Sequence, residues 1–229
     1  MPLYIVATPI GNLEDITFRA LRTLKEVDLI LAEDTRQTSK LLNHYQINTP
    51  IISYHHHSRL EKTDLILNKL KNGDNIALVS DAGTPGISDP GNKLIEQITE
   101  LLGNDAKIIP IPGPTAVTTL ASVAGLPCDE FIFFGFLPHK KGRQTIIKTI
   151  NQSTKTVILY ESTYRIIKLL RELATVFNST DLDRRRIVIG RELTKKFETI
   201  YRGNINQVAN ALENDKIKGE FTVIIGQSI

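Results

Sequence analysis

Short apolar runs alternate with longer amphipathic segments along the first half of this chain, and this alternation limits the folds available to it. The apolar runs cover residues 3–7, 29–32, 51–54 and 75–79. The amphipathic segments cover residues 15–27, 35–45, 58–70 and 92–98. Runs of four or five apolar residues indicate buried strands, and the spacing of Phe18, Leu21 and Leu24 is typical of a helix. We therefore expect an α/β fold built in layers.

The stretch LVSDAGTPGISDPG, residues 78–91, is the most distinctive loop of the sequence. It follows a predicted strand and precedes a predicted helix. Glycine permits positive φ and close approach of another molecule, while proline fixes φ and removes a donor, so such a loop is rigid. Ligands of open α/β sheets lie beyond the carboxyl ends of the strands. The stretch therefore predicts a ligand-binding loop, with an ordinary tight turn as the alternative.

Two further loops that combine glycine with proline follow predicted strands. They are ATPIGNLEDIT after the first strand and PIPGPTA after the strand at residues 106–111. The first lacks the G-x-G-x-x-G pattern of dinucleotide-binding folds, and none of the three contains the G-K-[ST] of a phosphate loop. Phosphate binding and dinucleotide binding are therefore disfavoured.

A boundary between two domains is predicted near residues 112–116, giving domains at residues 1–113 and 114–229. Pro114 is expected in the first turn of a helix made of small residues, because proline suits that position. The bulky strand FIFFGFLP and the basic HKKGRQ follow. Further strands are predicted at residues 156–160, 186–190 and 221–225, and further helices at residues 164–177 and 207–213. Both halves are thus expected to be α/β.

The composition is that of an ordinary globular protein. With 229 residues, 41% of them hydrophobic, the chain can bury a substantial core. The net charge of +3 permits a nucleic-acid partner without requiring one. Cys128 is the only cysteine, which excludes an intrachain disulfide and a cysteine metal site. The start MPLYIVATPIG is unlike a signal peptide, and no apolar run approaches the ~20 residues of a membrane span, so we expect a cytoplasmic protein.

Six motifs in order resemble the ribosomal RNA small subunit methyltransferase I family of the tetrapyrrole methylase-like superfamily. They span residues 3–226. They are LYIVATPIGNLEDITFRALRTLKEVDLILAEDTRQTSKLL, ALVSDAGTPGISDPG, PIPGPTAV, FFGFLP, YESTYR and GRELTKKFET. The resemblance implies a two-domain class III methyltransferase fold with S-adenosylmethionine in the interdomain cleft. It also implies 2′-O-methylation of a cytidine ribose of 16S ribosomal RNA in the decoding region, with the RNA or the assembled 30S subunit as partner, by a homodimer.

The resemblance also implies which residues contact the cofactor. They are Ile10, Asp81, Gly83, Thr84, Ile87, Thr115, Ala116 and Tyr160. Gly83 and Gly86 would let backbone groups approach the cofactor closely. Asp81 would face its amino group or its sulfonium, and the alternative is that Asp81 caps its own loop.

Methyl transfer to a sugar hydroxyl requires alignment of the two reactants and removal of one proton. The candidate bases follow predicted strands and are Glu33, Asp34, Glu161 and Glu192. Arg165 is a further catalytic candidate, with a simple salt bridge as its alternative. Glu33 or Asp34 would equally cap the next helix. Arg36 would hold a phosphate or pair with Asp34.

Clustered basic residues are the sequence evidence for RNA. His139, Lys140, Lys141 and Arg143 follow FGFLP, and Lys195 and Lys196 form a second group. With Arg36, we expect Lys140, Lys141, Arg143 and Lys195 to contact RNA phosphates. A solvated basic face is the alternative. The run at residues 184–186 is predicted to be a surface loop.

Two departures from the family pattern concern possible site residues. The run of His55, His56 and His57 replaces the H-E-H-N of many relatives. At most His55 and His57 would converge on one face of a strand, and no metal site is predicted because no carboxylate follows at a ligand spacing. YESTYR replaces E-S-P-H-R. Two rival functions remain open, a tetrapyrrole C-methyltransferase and a non-catalytic RNA-binding assembly factor.

Overall fold

The computed structural model describes residues 2–54, 60–215 and 217–228. Within them the chain forms two compact units, Met1–Thr115 and Ala116–Ile229. The predicted start of a helix at residue 58 and the three consecutive histidines lie outside the described residues.

The first unit contains a parallel sheet of five strands. The strands are β1 (Pro2–Val6), β2 (Leu29–Ala32), β3 (Ile51–Ser53), β4 (Ile76–Val79) and β5 (Lys107–Ile111). Their order is β3-β2-β4-β1-β5, and every neighbouring pair is parallel. The helices are α1 (Phe18–Glu26), α2 (Thr35–His44), α3 (Leu60–Lys71) and α4 (Asn92–Leu102). The predicted alternation of strand and helix is therefore confirmed in this unit.

The helices cover both faces of this sheet in sequential pairs. Leu24 of α1 and Leu41 of α2 pack in one cluster with Val6 and Ile30. The other cluster contains α3 and α4 with the strand residues that point to the opposite face, and its members include Leu3, Leu29, Leu31, Ile66, Leu70, Ile76, Leu94 and Ile98. Because the connections after β1 and β4 leave toward opposite faces, a topological switch point lies between these neighbouring strands.

Polar caps and glycines set the ends of the helices in this unit. The Thr17 side chain accepts from the backbone N–H of Ala20 and starts α1. Gly73 and Gly103 follow α3 and α4 with φ of 103° and 52°, where a side chain would be strained. The predicted helix ends at these two glycines are confirmed.

The second unit contains a mixed sheet. Its strands are β6 (Phe131–Phe136), β7 (Thr156–Ser162), β8 (Ile187–Arg191), β9 (Thr199–Gly203) and β10 (Glu220–Ile225). Their order is β6-β7-β10-β8-β9, with β6 and β7 parallel and the other pairs antiparallel. The helices are α5 (Ala116–Ala124), α6 (Arg143–Gln152), α7 (Ile166–Val176), α8 (Ser179–Arg184) and α9 (Ile205–Glu213).

The core of the second unit lies between one face of the sheet and α6, α7 and α9. Ile147, Leu169 and Val208 from these helices are fully buried against strand residues such as Val157 and Val223. Helix α5 packs on β8 and β10. A methyl group on Gly190 would lie 2.9 Å from Leu120 Cδ1 of α5, so only glycine permits this close packing.

Three elements of the second unit were not predicted from the sequence, namely α6, α8 and β9. Helix α6 has no side-chain cap and follows Gly142, whose φ is 84°. The sequence before α6 therefore contains no capping residue that would predict the start of a helix. Only the helical spacing of Ile146, Ile147 and Ile150 indicates it. The helix expected to include Pro114 begins later, at Ala116.

The prediction that residues 184–186 form a surface loop is wrong for Arg185. Its side chain is fully buried. The guanidinium donates to the carbonyl oxygens of Gly226, Asn151 and Ile150 at 2.8, 3.0 and 2.8 Å and lies over the Phe177 ring. Burial lowers the pKa of Arg185, against the opposing effect of Asp181. Arg185 therefore ties the end of α8 to α6 and to the segment after β10.

Replacing Arg185 tests this role. Arg185→Met keeps much of the side-chain volume but leaves three carbonyl oxygens and the buried Asp181 without their cation. We expect the free energy of unfolding to fall by about 3–5 kcal/mol, measured by urea denaturation followed by circular dichroism. Arg184→Met, at the exposed neighbouring position, is the control and should change it by less than about 0.5 kcal/mol. Equal losses in the two variants would contradict the assigned role.

Candidate active site

Four loops of the first unit meet at one edge of its sheet. They follow β2, β4, β1 and β5, which are neighbours in that order and run in the same direction. All three predicted glycine and proline loops are among them, and the fourth contains Glu33 and Asp34. The parallel order therefore brings together the loops that the sequence marked one by one.

Backbone hydrogen bonds join the loops after β1 and β4. The N–H of Thr8 donates to the oxygen of Gly83 at 2.9 Å, and the N–H of Gly83 donates back at 3.0 Å. The Thr84 hydroxyl donates to the oxygen of Pro114 at 3.2 Å and adds the loop after β5. These bonds hold three of the loops together at the switch point.

Glycine is required where the loops approach most closely. Gly83 has φ of 83°, and a methyl group there would lie 3.3 Å from Ile10 Cγ2. A methyl group on Gly113 would lie 3.0 Å from the Ala7 side chain. Ile10, Gly83 and Thr84, three of the predicted cofactor residues, thus lie together.

Asp81 connects the loop after β4 with the loop after β2. Its carboxylate accepts from the backbone N–H of Asp34 at 2.9 Å. The Asp34 carboxylate in turn accepts from the N–H of Arg36 and starts α2, which is the capping role weighed from the sequence. Each carboxylate therefore has a role in loop geometry.

The side chain of Arg36 pairs with Asp34. The nearest contact joins Arg36 Nη2 to Asp34 Oδ2 at 2.6 Å. Hydrogen bonds from Arg36 lower the pKa of Asp34 to about 2. A carboxylate with so low a pKa is a weak base, so the geometry disfavours Asp34 as the proton acceptor.

Asp89, which the sequence analysis did not select, is the most perturbed carboxyl group at this edge. Burial, with the nearby charge of Glu33 and a smaller effect of Asp81, raises its pKa to about 7, although a hydrogen bond with Ser80 opposes the shift. Asp89 belongs to the SDPG of the glycine and proline loop, so the sequence displayed the residue. The sequence did not show that Asp89 lies near two other acidic side chains. Three acidic side chains thus lie near one another beyond the ends of β2 and β4.

This edge can hold a cationic ligand that also has apolar parts. The carboxylates of Glu33, Asp81 and Asp89 suit positive charge, and Ile87 leaves 44% of its surface exposed in the same loop. Gly83 is buried, and a methyl group there would meet Ile10 Cγ2 at 3.3 Å and the Pro114 oxygen at 3.7 Å, so glycine lets these loops pack closely together. Among the described residues no group of three or more histidine, cysteine, aspartate or glutamate side chains has the geometry of a metal site.

Residues 2–209 match the protein family described as Tetrapyrrole (Corrin/Porphyrin) Methylases. The chain belongs to this family. Membership makes it an enzyme of methyl transfer and agrees with the predicted α/β methylase fold.

Curated relatives extend the match over nearly the whole chain. A protein named Ribosomal RNA small subunit methyltransferase I from Synechocystis sp. is 47% identical, covering 97% of this chain and 78% of its own length. The protein of the same name from Bacillus subtilis is 44% identical over 97% of this chain and 74% of its own length. That from Thermotoga maritima is 42% identical, with 97% of each chain covered. The predicted resemblance is confirmed.

Two solved structures share the fold. Diphthine synthase matches with a TM-score of 0.73 at 12% identity, covering 99% of this chain and 90% of that chain. The cobalamin biosynthetic enzyme cobalt precorrin-4 methyltransferase matches with a TM-score of 0.68 at 20% identity, covering 98% and 94%. At such identities the likeness concerns the fold alone.

The second unit of this methylase places Glu161 in a buried ion network. Glu161 is fully buried and pairs with Arg165 at 2.8 Å and with Arg143 at 3.3 Å. Arg143 also pairs with Glu172 at 2.7 Å. A carboxylate enclosed by two guanidinium groups is not available to take a proton from substrate. The expected catalytic role of Glu161 is therefore corrected to a structural one, and Arg165 takes its salt-bridge alternative.

Arg143 was expected to bind RNA, and its burial corrects that prediction. Only 3% of its side chain is exposed. His139, Lys140 and Lys141, in the loop before it, are exposed. The basic cluster therefore divides into an exposed loop and one buried cation.

Glu192 and Lys195 pair with each other after β8. Glu192 accepts from Lys195 Nζ at 3.0 Å and from the N–H of Glu220 at 2.9 Å. Burial opposes its charge, but these hydrogen bonds outweigh it and lower the pKa of Glu192. Lys195 also reaches the Glu220 carboxylate at 2.8 Å. Both side chains shape the loop, which weakens the catalytic prediction for Glu192 and the RNA prediction for Lys195.

The remaining predicted cofactor residues lie where the first unit ends and the second begins along the chain, and on a strand of the second unit. Thr115 ends the first unit, and Ala116 begins α5. Tyr160 lies on β7, where its ring contacts Phe133 and Phe136. Their contact with a cofactor stays a prediction. In the described part of the chain no helix is long and apolar enough to cross a membrane.

Asp89→Asn tests the acidic group. Because the fold raises the pKa of Asp89 from 3.8 to about 7, the folded state binds more protons than the unfolded state between these values. The contribution of Asp89 to stability is therefore most favourable below about pH 4, and it is lost as the pH rises to about 7. The neutral amide of the variant does not titrate and so avoids this loss of stability. At about pH 8 the free energy of unfolding of Asp89→Asn should therefore exceed that of the wild type by on the order of 2 kcal/mol.

Urea denaturation at about pH 5 and about pH 8 measures the difference. Asp64→Asn, which removes an exposed carboxylate of α3, is the control and should keep the wild-type pH dependence. If Asp89→Asn also kept it, the carboxylates would not be coupled as described.

Proposed function

We propose that this methylase transfers a methyl group from S-adenosylmethionine to the ribose 2′-hydroxyl of a cytidine in the 16S ribosomal RNA of the small subunit, in its decoding region. One observation carries the proposal: relatives 42–47% identical over 97% of the chain are named Ribosomal RNA small subunit methyltransferase I. The reaction is assigned to the switch-point edge because that edge combines glycine-lined loops with carboxylates.

The residues of this edge suit S-adenosylmethionine. The cofactor has a positive sulfonium and ammonium, which favour the acidic group of Glu33, Asp81 and Asp89. Ile10, in the loop after β1, and Ile87, in the loop after β4, offer apolar contacts. Gly83 and Thr84 belong to the same loop as Ile87. When bound, the sulfonium supplies an activated methyl group with a neutral leaving group. We propose that Thr115, Ala116 and Tyr160 contribute further contacts.

The protein must also align the ribose and receive its proton. Asp34, Glu161 and Glu192 are held in caps or ion pairs. We propose Glu33, predicted from the sequence, and Asp89 as the candidate proton acceptors. A carboxyl group whose pKa is raised to about 7 is well matched to proton transfer near neutral pH, which favours Asp89.

The partner in this proposal is small-subunit ribosomal RNA, naked or assembled in the 30S subunit. Lys140 and Lys141 are exposed and are proposed to bind RNA phosphates. Arg36 and Lys195 are held in ion pairs, which RNA phosphates would have to displace in order to bind them. We propose that the enzyme acts in the cytoplasm as a homodimer.

Methyl transfer to two substrates tests the function. Tetrapyrrole C-methylation is the second candidate, because the family is described by that chemistry. With radiolabelled S-adenosylmethionine, we expect label in undermethylated 30S subunits or their RNA and none in a precorrin. The labelled nucleotide should resist alkaline hydrolysis, because a 2′-O-methyl group removes the attacking hydroxyl. Label in the precorrin would favour the rival, and no cofactor binding by titration calorimetry would indicate a non-catalytic assembly factor.

Gly83→Ala tests where the cofactor lies. The control is Gly73→Ala, because both glycines have positive φ but nothing lies within 4 Å of a methyl group on Gly73. Both variants should lose about 1 kcal/mol of stability. Only Gly83→Ala should weaken S-adenosylmethionine binding, by about tenfold, because its methyl group meets Ile10 in the loop. Calorimetric titration measures both affinities, and unchanged binding by Gly83→Ala would contradict the assigned site.

A further inference from the structure

We propose that one edge of the second unit is a stacking platform for unpaired RNA, with Tyr164 and Phe197 stacking on bases and Lys140, Lys141 and Lys196 holding phosphates. This proposal rests on the proposed function, because it names the form of RNA that the enzyme takes. We call this surface the aromatic rim and define it as residues 137–142, 163–165 and 192–198.

Strand direction brings the three segments of the aromatic rim to one edge. Strands β6 and β7 are parallel, and β7 and β8 are both antiparallel to β10. The carboxyl ends of β6, β7 and β8 therefore lie at the same edge of the sheet. Each segment of the rim follows one of these ends.

Hydrogen bonds fix the segments to one another and to β10. Arg165 Nη1 donates to the oxygen of Leu137 at 2.8 Å and joins the first segment to the second. The Thr163 hydroxyl donates to the oxygen of Gly219, just before β10. The N–H of Glu192 donates to the oxygen of Glu220 at 3.0 Å. The rim is thus a connected surface, and Tyr164 stands between two anchored residues.

Two aromatic rings of the rim are open to solvent. Tyr164 is 95% exposed and Phe197 is 68% exposed. Neither ring contributes to the core of the unit. Phe136 is also exposed, but its ring packs on Tyr160, so we assign it no stacking role. Two open rings on one hydrogen-bonded rim offer flat faces on which a partner can stack.

Positive charge accompanies the rings. Lys196 Nζ lies 5.6 Å from the centre of the Phe197 ring. Lys140, Lys141 and Lys196 are exposed, and none of them forms an ion pair with another described residue. Lys195 differs, since Glu192 and Glu220 hold it. Lys196 is thus available beside Phe197, and Lys140 and Lys141 are available in another segment of the same rim.

This combination matches single-stranded RNA. Every base offers a flat face to an aromatic ring, and lysines neutralise the phosphates between the bases. A duplex hides its base faces in the stack and would leave Tyr164 and Phe197 without a partner. A second copy of this chain would bring lysines of the same sign together, which makes it the poorer occupant.

RNA binding without cofactor tests the platform. We would measure fluorescence anisotropy with an unstructured RNA of about 12 nucleotides and with a duplex of equal length. We expect the wild type to prefer the single strand. Tyr164→Ala and Phe197→Ala should each weaken single-strand binding by about tenfold, whereas Tyr164→Phe and Phe197→Tyr should retain it. The doubly substituted Lys140→Gln, Lys141→Gln variant should lower the slope of log affinity against log salt by about 1.4.

Phe18→Ala is the matched control, because Phe18 is 93% exposed but lies on α1 of the first unit. Its affinity for RNA should stay at the wild-type value. The platform would be overturned by wild-type affinity in both alanine variants, by equal wild-type affinity for the duplex, or by altered oligomeric state in sedimentation with RNA binding intact. Methyl transfer to 30S subunits by the wild type, measured separately, reports on the proposed function, so its failure is distinguishable from failure of the platform.

Discussion

Two backbone hydrogen bonds between Thr8 and Gly83 hold together the part of the molecule on which the candidate active site depends. They join the ends of β1 and β4, the neighbouring strands whose connections leave toward opposite faces of the sheet. A crevice forms where connections diverge in this way. The two bonds hold these loops against each other, and glycine at position 83 leaves room for the Ile10 side chain.

The chemistry of this crevice comes from like charges held near one another. Glu33 and Asp81 raise the pKa of Asp89 in addition to burial. Such an arrangement costs stability in the free protein. A cationic ligand would relieve the repulsion, which is the physical reason for proposing that S-adenosylmethionine binds at this edge. The Asp34 and Arg36 pair shows the contrast, since a carboxylate neutralised within the protein has less to offer a cofactor.

The second unit uses its charges in another way. Glu161, Arg143, Arg165 and Glu172 neutralise one another in a largely buried network below the aromatic rim. Removing one member of such a network leaves a buried charge unpaired, so its members are constrained by folding. Arg165 connects the network to the rim through Leu137. The network thereby supports the loops that present exposed lysines and rings, while its own carboxylates are paired with arginines.

The amino-acid sequence by itself determined the family, the alternation of strands and helices in the first unit, and the loops of the candidate site. Those features depend on local periodicity, on glycine and proline, and on ordered motifs. The uncapped helix α6, the burial of Arg143 and Arg185, and the coupling of Asp89 to Glu33 were decided only by the tertiary structure. Each of these features depends on residues distant in sequence, because burial and Coulomb interactions are set by distance in space. The sequence pattern around a charged residue does not show whether its side chain is solvated, paired or buried.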